Sequence, residues 1–216
     1  MSIKILLADD HAMLRHGLSR SFEQEEDIDV IGQTQDGYST IEMVKELMPD
    51  IVIMDIGMPG LNGIETTRRI MQDCPQIKVI GLSMHSSDKY VREMFRAGAV
   101  GYLLKDCSFD ELVEAIRTVM SGQTYISPAI GDMIIREYTS KEDEHKSVFS
   151  VLSQREREVL QLLSEGKTTK QIGRRLHISP KTVEAHRLRV MDKLEIDNVA
   201  QLTKYAIQEG LTEAEP

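Results

Sequence analysis

Asp9-Asp10, Asp55, Ser83 and Lys105 are the side chains whose types and placement could do chemistry in this sequence. Each follows a short apolar run: residues 3–8 lead into Asp9-Asp10, 51–54 into Asp55, 79–82 into Ser83 and 102–104 into Lys105. Runs this short read as buried strands rather than helices. In an open parallel sheet the carboxyl ends of the strands form one edge, and ligands bind there, near a topological switch point. Three carboxylates, a hydroxyl and an amine would share that edge. Packed acids repel one another unless a cation stands between them. A hard divalent ion such as Mg2+, held by few carboxylates and several waters, meets that need and suits phosphoryl chemistry. A carboxylate can itself be the nucleophile and become an acyl phosphate. The lysine and the metal would then neutralise charge on the transferring group. Asp36 and Asp50, single acids away from this set, read as a helix cap or a loop residue.

The elements that must position these groups alternate along the chain. A fifth apolar run at 30–32 and amphipathic stretches at 11–22, 38–47, 64–71, 89–97 and 109–120 complete five βα units. Such a series calls for a parallel sheet with helices on both faces and right-handed crossovers. Residues 1–122 are expected to form this α/β domain, a doubly wound (βα)5 sheet. Residues 123–149 break the pattern: Ser127-Pro128 could open a short helix through 137, and the charged run 141–146 reads as a linker. From 150 to 216 the periodicity is helical only. Ser153 with Glu156 three residues on makes a capping box. That helix carries Val159, Leu160, Leu162 and Leu163 and stops at Gly166. Further helices are expected at 170–176, at 180–194 behind the N-cap Ser179 and Pro180, and at 199–208.

Charge divides the chain in the same place. Residues 1–146 carry 15 basic against 25 acidic side chains, and 147–216 carry 11 against 10. Within 167–193 there are eight basic residues and two acidic ones. An acidic domain followed by a locally basic one implies that only the second meets an anionic partner. Two cysteines, Cys74 and Cys107, form neither a disulfide framework nor a metal pattern. No apolar run approaches a membrane span, and the first residues lack a signal peptide's features. A cytoplasmic protein is expected.

Asp9-Asp10, Asp55 with Met58-Pro59-Gly60, Ser83, and Tyr102-Leu103-Leu104-Lys105 together resemble the receiver domain of two-component response regulators, over about residues 3–121. The resemblance implies a flavodoxin-like fold in which Asp55 takes a phosphoryl group from a histidine kinase. It implies that Asp10, Asp55 and the backbone carbonyl of Gly57 hold Mg2+, with Asp9 assisting. Ser83 would bond the phosphoryl oxygen, Lys105 would pair with it, and Tyr102 would change rotamer with Ser83. Many receivers carry a proline after the lysine, in a cis peptide. Asp106 stands there in this chain, so a cis bond is not expected. His85, two residues beyond Ser83, is either a surface loop residue or a group that affects water attack on the acyl phosphate. An aspartyl-nucleophile phosphatase is the competing enzyme class, but it needs a second acid two residues after the nucleophile, where this chain has Gly57. A phosphorelay carrier would need no second domain.

The pair of helices at 170–176 and 180–194, joined by His177-Ile178-Ser179, has the helix-turn-helix arrangement, with the second helix suited to a DNA major groove. Leu152 to Leu160, Gly166-Lys167, Leu176-His177-Ile178-Ser179, Lys181-Thr182-Val183-Glu184, His186 and Lys193-Leu194 resemble the LuxR-type four-helix DNA-binding domain. The whole chain is thereby identified as similar to response regulators of the NarL/FixJ group. The resemblance implies promoter DNA with inverted half-sites, a homodimer when phosphorylated, and regulation of transcription. It implies no enzyme activity beyond the receiver's own phosphorylation and dephosphorylation. Glu184, Ala185 and Leu188 would face base edges. Thr169, Lys170, Lys181, Thr182, Arg187 and Arg189 complete the expected DNA-contact set, with Lys181, Arg187 and Arg189 suited to phosphate. Val183, His186 and Val190 form a stripe toward the core, with His186 at its edge as either a locally packed residue or a phosphate contact. Val199, Leu202 and Tyr205 are either a dimer surface or core filling. Gly173, where the family often has alanine, should cost helix stability.

Overall fold

The computed structural model describes residues 2–84, 88–131 and 148–212. Its elements are β1 (Ile3–Ala8), α1 (Ala12–Phe22), β2 (Ile28–Thr34), α2 (Gly37–Leu47), β3 (Ile51–Asp55), α3 (Gly63–Asp73), β4 (Lys78–Ser83), α4 (Asp88–Arg96), β5 (Gly101–Leu104), α5 (Phe109–Met120) and β6 (Tyr125–Ile126). They continue with α6 (Val148–Val151), α7 (Gln154–Ser164), α8 (Thr169–Arg175), α9 (Pro180–Leu194) and α10 (Val199–Gln208). These form two compact units, the first ending after β6 and the second holding α6 to α10.

The first unit is one parallel sheet in the order β2-β1-β3-β4-β5-β6. The order reverses direction between β1 and β3, which makes their carboxyl ends the switch point. Ala8 lies beside Met54, so Asp9 and Asp55 leave the sheet at one level. Ser83 lies beside Leu104, which brings Lys105 to the same edge. Ile5, Leu7, Ile51, Ile53, Ile80, Leu82 and Leu103 pack with Phe22, Leu112, Ile116 and Val119 in one buried cluster. Leu6, Val52, Met54 and Val79, which point the other way, are also buried. Both faces are covered, which is why these strands read as unbroken apolar runs rather than alternating ones. Asp36 caps α2, accepting from the amides of Tyr38 and Ser39, and Asp50 accepts from the amide of Lys4 at 2.8 Å.

The sheet has a sixth strand where the sequence reads as linker. Tyr125 pairs with Gly101 and Ile126 with Tyr102. Two residues carry no periodicity, so no pattern could announce them. A helical turn does open at Pro128, with Ile130 buried. The rest of the helix expected there, the charged run 141–146 and His85 lie outside the described residues. No cis peptide bond occurs among the described residues. After Lys105 the chain turns through Cys107, whose amide bonds Leu104 O at 3.0 Å, into the Ser108 cap of α5.

The second unit buries Val148, Leu152, Leu160, Val190, Leu202, Ala206 and Leu211 together. Val148 precedes the expected boundary at 150, because α6 contributes one apolar turn to this core. Ser153 and Glu156 form the expected capping box, and Thr168 with Gln171 forms a second. Ser179 caps α9 with Pro180 in its first turn. In the turn between α8 and α9, His177 takes a left-handed φ of 54°, and the Ile178 amide bonds Gly173 O at 2.9 Å. A Cβ on Gly173 would lie 2.8 Å from the backbone oxygen of Ile178. The glycine expected to weaken α8 therefore permits the close approach that makes the turn. Gly173→Ala should gain up to about 1 kcal/mol of helix propensity and lose about 1–3 kcal/mol to overpacking against backbone. Urea unfolding of the variant should show a lower midpoint. A raised midpoint would contradict the steric reading.

Candidate functional site

The strand ends bring Asp9, Asp55 and Lys105 into direct contact. Lys105 Nζ lies 2.9 Å from Asp9 Oδ2 and 2.8 Å from Asp55 Oδ2, with all three side chains almost wholly buried. Those two oxygens have no aligned hydrogen-bond donor; at these distances the ammonium acts on them as an ion-pair partner. The Gly57 amide donates to Asp55 Oδ1 at 3.2 Å. Burial holds the Asp55 carboxyl above the ordinary aspartate range, against the pull of Lys105 and the Gly57 amide and with added repulsion from Asp10. Burial also works against the Lys105 charge, but the Asp55 and Asp9 carboxylates outweigh it and keep its pKa above the usual lysine value.

Ligand atoms of Asp9, Asp10, His11 and Asp55 all lie within 4.8 Å of one another. One lysine, paired with Asp9 and Asp55, cannot neutralise three acids. The donor set is hard and anionic, which suits Mg2+. The residues fit the ion that the sequence implies.

The sequence reading missed three contributors to this pocket. His11 precedes α1 at its N-cap, where its side chain makes no capping bond and places Nδ1 2.8 Å from Asp10 Oδ1. Arg15, one turn into α1, donates from Nη1 to the Asp9 backbone oxygen. Gly63, the first residue of α3, packs so tightly under Asp55 that a Cβ would sit 2.1 Å from its backbone oxygen. The position of His11 directly after Asp9-Asp10 was the available signal for the first. Nothing local marks Arg15 or Gly63.

Ser83 is buried beside the acids, and its side chain hydrogen-bonds the hydroxyl of Tyr102. The Tyr102 ring is wholly inside the protein. Burial pushes its phenol far above the ordinary tyrosine value.

In the second unit Lys170, Lys181, Thr182, Ala185 and Arg189 are exposed, and so is Leu188 despite its size. Thr169, Glu184 and Arg187 are engaged with one another. Thr169 Oγ1 donates to Glu184 Oε1 at 2.7 Å, and Arg187 Nη2 pairs with Glu184 Oε2 at 2.8 Å. One oxygen of Glu184 thus ties α8 to α9, and the other pairs with Arg187 within α9. Val183 and Val190 are buried and His186 half-buried, as the stripe predicts. Burial, then Arg189 and Arg155, hold the His186 pKa below the ordinary histidine value. Leu202 is fully buried in the core, which takes it off the candidate dimer surface and agrees with the core-filling alternative. Its i, i+3 relation to Val199 and Tyr205 could not distinguish inward from outward. Val199 is exposed and Tyr205 partly buried. No described helix is long and apolar enough to cross a membrane.

The chain thus joins an open α/β domain with an acid-lined switch point to a helical domain with the helix-turn-helix arrangement. Residues 5–117 match the response regulator receiver domain family, and residues 150–206 match the bacterial regulatory proteins of the luxR family. The transcriptional regulatory protein DegU of Brevibacillus brevis is 36% identical, over 96% of this chain and 94% of its own. The response regulator GacA of Pseudomonas aeruginosa is 35% identical, over 98% and 99%. RcsB of Salmonella enterica serovar Typhimurium, solved bound to a promoter with the phosphomimetic BeF3−, is 25% identical, with a TM-score of 0.62 over 98% of this chain and 100% of that one. The chain belongs to the two-component response regulators that join a receiver domain to a LuxR-type helix-turn-helix. It is a DNA-binding transcriptional regulator of that family.

Two predictions test the scaffolds of these sites. Gly63→Ala should displace Asp55, lowering stability by about 1–3 kcal/mol through overpacking and slowing acetyl-phosphate labelling of the folded protein. A variant labelled at the wild-type rate would show that the contact is soft. In the second unit Glu156 Oε2 accepts from the Ser153 amide at 2.8 Å and from Lys193 Nζ at 2.7 Å. Burial favours the neutral acid, but Lys193 and Ser153 hold the Glu156 pKa below the ordinary glutamate value. A depressed folded pKa gives stability that is full above the unfolded value of about 4.3 and lost as pH falls through the folded value. Below about pH 5, urea midpoints of the wild type should therefore fall more steeply than those of Glu156→Gln. Parallel pH profiles would remove Glu156 from the account.

Proposed function

We propose that Asp55 is the phosphoacceptor and that its phosphorylation by a cognate histidine kinase governs dimerisation and promoter binding. The observation that carries this is the buried Lys105 ammonium between Asp9 and Asp55, with Ser83 at the adjoining strand end. An Asp55 carboxylate oxygen attacks phosphorus, the bond from phosphorus to the kinase histidine nitrogen breaks, and that nitrogen keeps the electron pair and picks up a proton. Asp9, Asp10, Asp55 and the Gly57 carbonyl would hold Mg2+, which supplies neutralisation of charge on the transferring group. Lys105 then pairs with the new phosphoryl oxygens. Ser83 turns its hydroxyl from Tyr102 to the phosphoryl group, and Tyr102 adjusts in the space released. Gly57 at +2 gives water no general acid or base, which favours a stored phosphate over fast turnover. The receiver acts as a catalyst only on itself.

These new contacts favour one receiver state, and the equilibrium moves by their differential free energy. In that state the protein would be a cytoplasmic homodimer on inverted promoter half-sites. Lys170, Lys181 and Arg189 would contact phosphate, and Ala185 and Leu188 would meet base edges. Val199 and Tyr205 on α10 remain candidates for the contact between the DNA-binding domains. Residues 1–122, 123–149 and 150–216 serve as receiver, connection and DNA-binding domain, with β6 extending the receiver's sheet.

Treatment with acetyl phosphate should phosphorylate wild type, shift its mass in solution toward a dimer, and raise promoter affinity at least tenfold. Asp55→Asn should show none of these changes. If both proteins dimerise and bind DNA alike, Asp55 is not the switch.

A further inference from the structure

Tyr102 is the bulkiest wholly buried side chain among the described residues, and the sheet makes room for it with a glycine. Gly81 lies directly beside it in the register of β4 and β5. It stands inside a central strand, where a glycine supplies no side-chain packing and weakens the strand. A Cβ at Gly81 would stand 3.3 Å from Tyr102 Cδ2, and 3.1 and 3.3 Å from Cγ and Cε of Met94 on α4. Ordinary carbon contacts are about 3.5–4.0 Å, so that space is already taken. The atoms nearest to it belong to Met94 and Tyr102, not to the acidic pocket. Met94 is itself buried, with Sδ 3.7 Å from the hydroxyl of Thr67 on α3. Ser83, two residues along β4, projects from the same face as Gly81 and bonds the Tyr102 hydroxyl. The ring is thus held at its polar end by Ser83 and along its flank by Gly81 and Met94.

We propose that Gly81 and Met94 are positioning residues of the receiver switch: together they form a seat whose width decides how far the Tyr102 ring shifts when Ser83 changes partner, and so how strongly a phosphoryl group on Asp55 alters promoter binding. The coupling is steric. A methyl group at 81 would push the ring or Met94 by a few tenths of an ångström. Displacing the ring strains its bond to Ser83 in the resting receiver and occupies space that its movement uses. The two receiver states then differ less, and a smaller difference gives a smaller population shift. This inference rests on the reading of Asp55 as the phosphoacceptor whose state Ser83 reports.

Full-length protein carrying 3-fluorotyrosine at its six tyrosines is the probe, with the Tyr102 resonance assigned by its loss in Tyr102→Phe. The ratio of promoter affinities with and without acetyl phosphate, at least about tenfold in wild type, should fall below about threefold in Gly81→Ala, with Asp55 labelled at a rate within about threefold of wild type. The Tyr102 resonance of Gly81→Ala should be displaced before acetyl phosphate is added. Adding Met94→Ala vacates the space beside the new methyl group, and should return the resonance toward its wild-type position and the ratio above about fivefold. Met94→Ala alone adds no bulk and should lower the ratio by leaving the ring unseated, which keeps the test open if Gly81→Ala does not fold. A wild-type ratio in Gly81→Ala or in Met94→Ala, or a loss in Gly81→Ala that Met94→Ala does not reverse, overturns the seat. If the wild type shows no such ratio, or Asp55→Asn shows the same one, the phosphoacceptor reading falls and the inference falls with it.

Discussion

A single buried ammonium holds two buried carboxylates apart from each other and together with the sheet. Lys105 reaches Asp9 and Asp55 at 2.9 and 2.8 Å, in a place where an unpaired charge would cost several kcal/mol. The pairing is incomplete by design of the composition: one cation faces Asp9, Asp55 and the half-exposed Asp10. Burial lifts the Asp55 pKa, whereas the Lys105 pKa is lifted by the Asp55 and Asp9 carboxylates against the effect of its own burial. The pocket is consequently stable enough to exist and unsatisfied enough to gain from another cation. Four of the strands contribute to that balance. β1 and β3 must be neighbours to bring the two acids level, and β5 must follow β4 to deliver the lysine.

The same edge contains the means of reading a change in charge. Ser83 is bonded to Tyr102, and Tyr102 lies on β5 three residues before Lys105. A phosphoryl group on Asp55 would bring negative oxygens to the lysine and acceptors to the serine at once. Both residues sit on the β4 and β5 side of the sheet, so the redistribution would be directional. A shift from a minor to a dominant receiver state needs several kcal/mol of differential contact. One ion pair and one hydrogen bond, both shielded from water, are of that order.

The architecture was legible because both faces of the sheet are covered. Burial on two sides turns strands into apolar runs, and the polar residue ending each run is conspicuous. Asp9, Asp10, Asp55, Ser83 and Lys105 were found that way. What stayed hidden depends on distance in space rather than pattern in sequence. Gly63 matters because Asp55 O lies where its Cβ would be, and Arg15 because its guanidinium reaches the Asp9 carbonyl. β6 is two residues long and owes its existence to the free edge of β5. Leu202 illustrates the opposite limit, since helical spacing gives a stripe without saying which way it faces. Gly173 was visible as a weak helix former, but its use emerges only from the returning backbone at Ile178.

The helix-turn-helix divides its polar residues between holding its shape and meeting a partner. Glu184 is spent on Thr169 and Arg187, and a carboxylate so placed would also repel a phosphate backbone. Its use inside the domain removes that conflict and fixes the angle between α8 and α9. The exposed residues of the first ten positions of α9 then include Lys181, Thr182, Ala185, Leu188 and Arg189. Two cations give affinity that is indifferent to sequence. The two apolar groups would, in the proposed complex, meet thymine methyls and groove shape rather than guanine edges. In the proposed complex, discrimination between promoters would therefore come less from any one side chain than from the spacing of two half-sites, which is the quantity that dimerisation of the receiver would control.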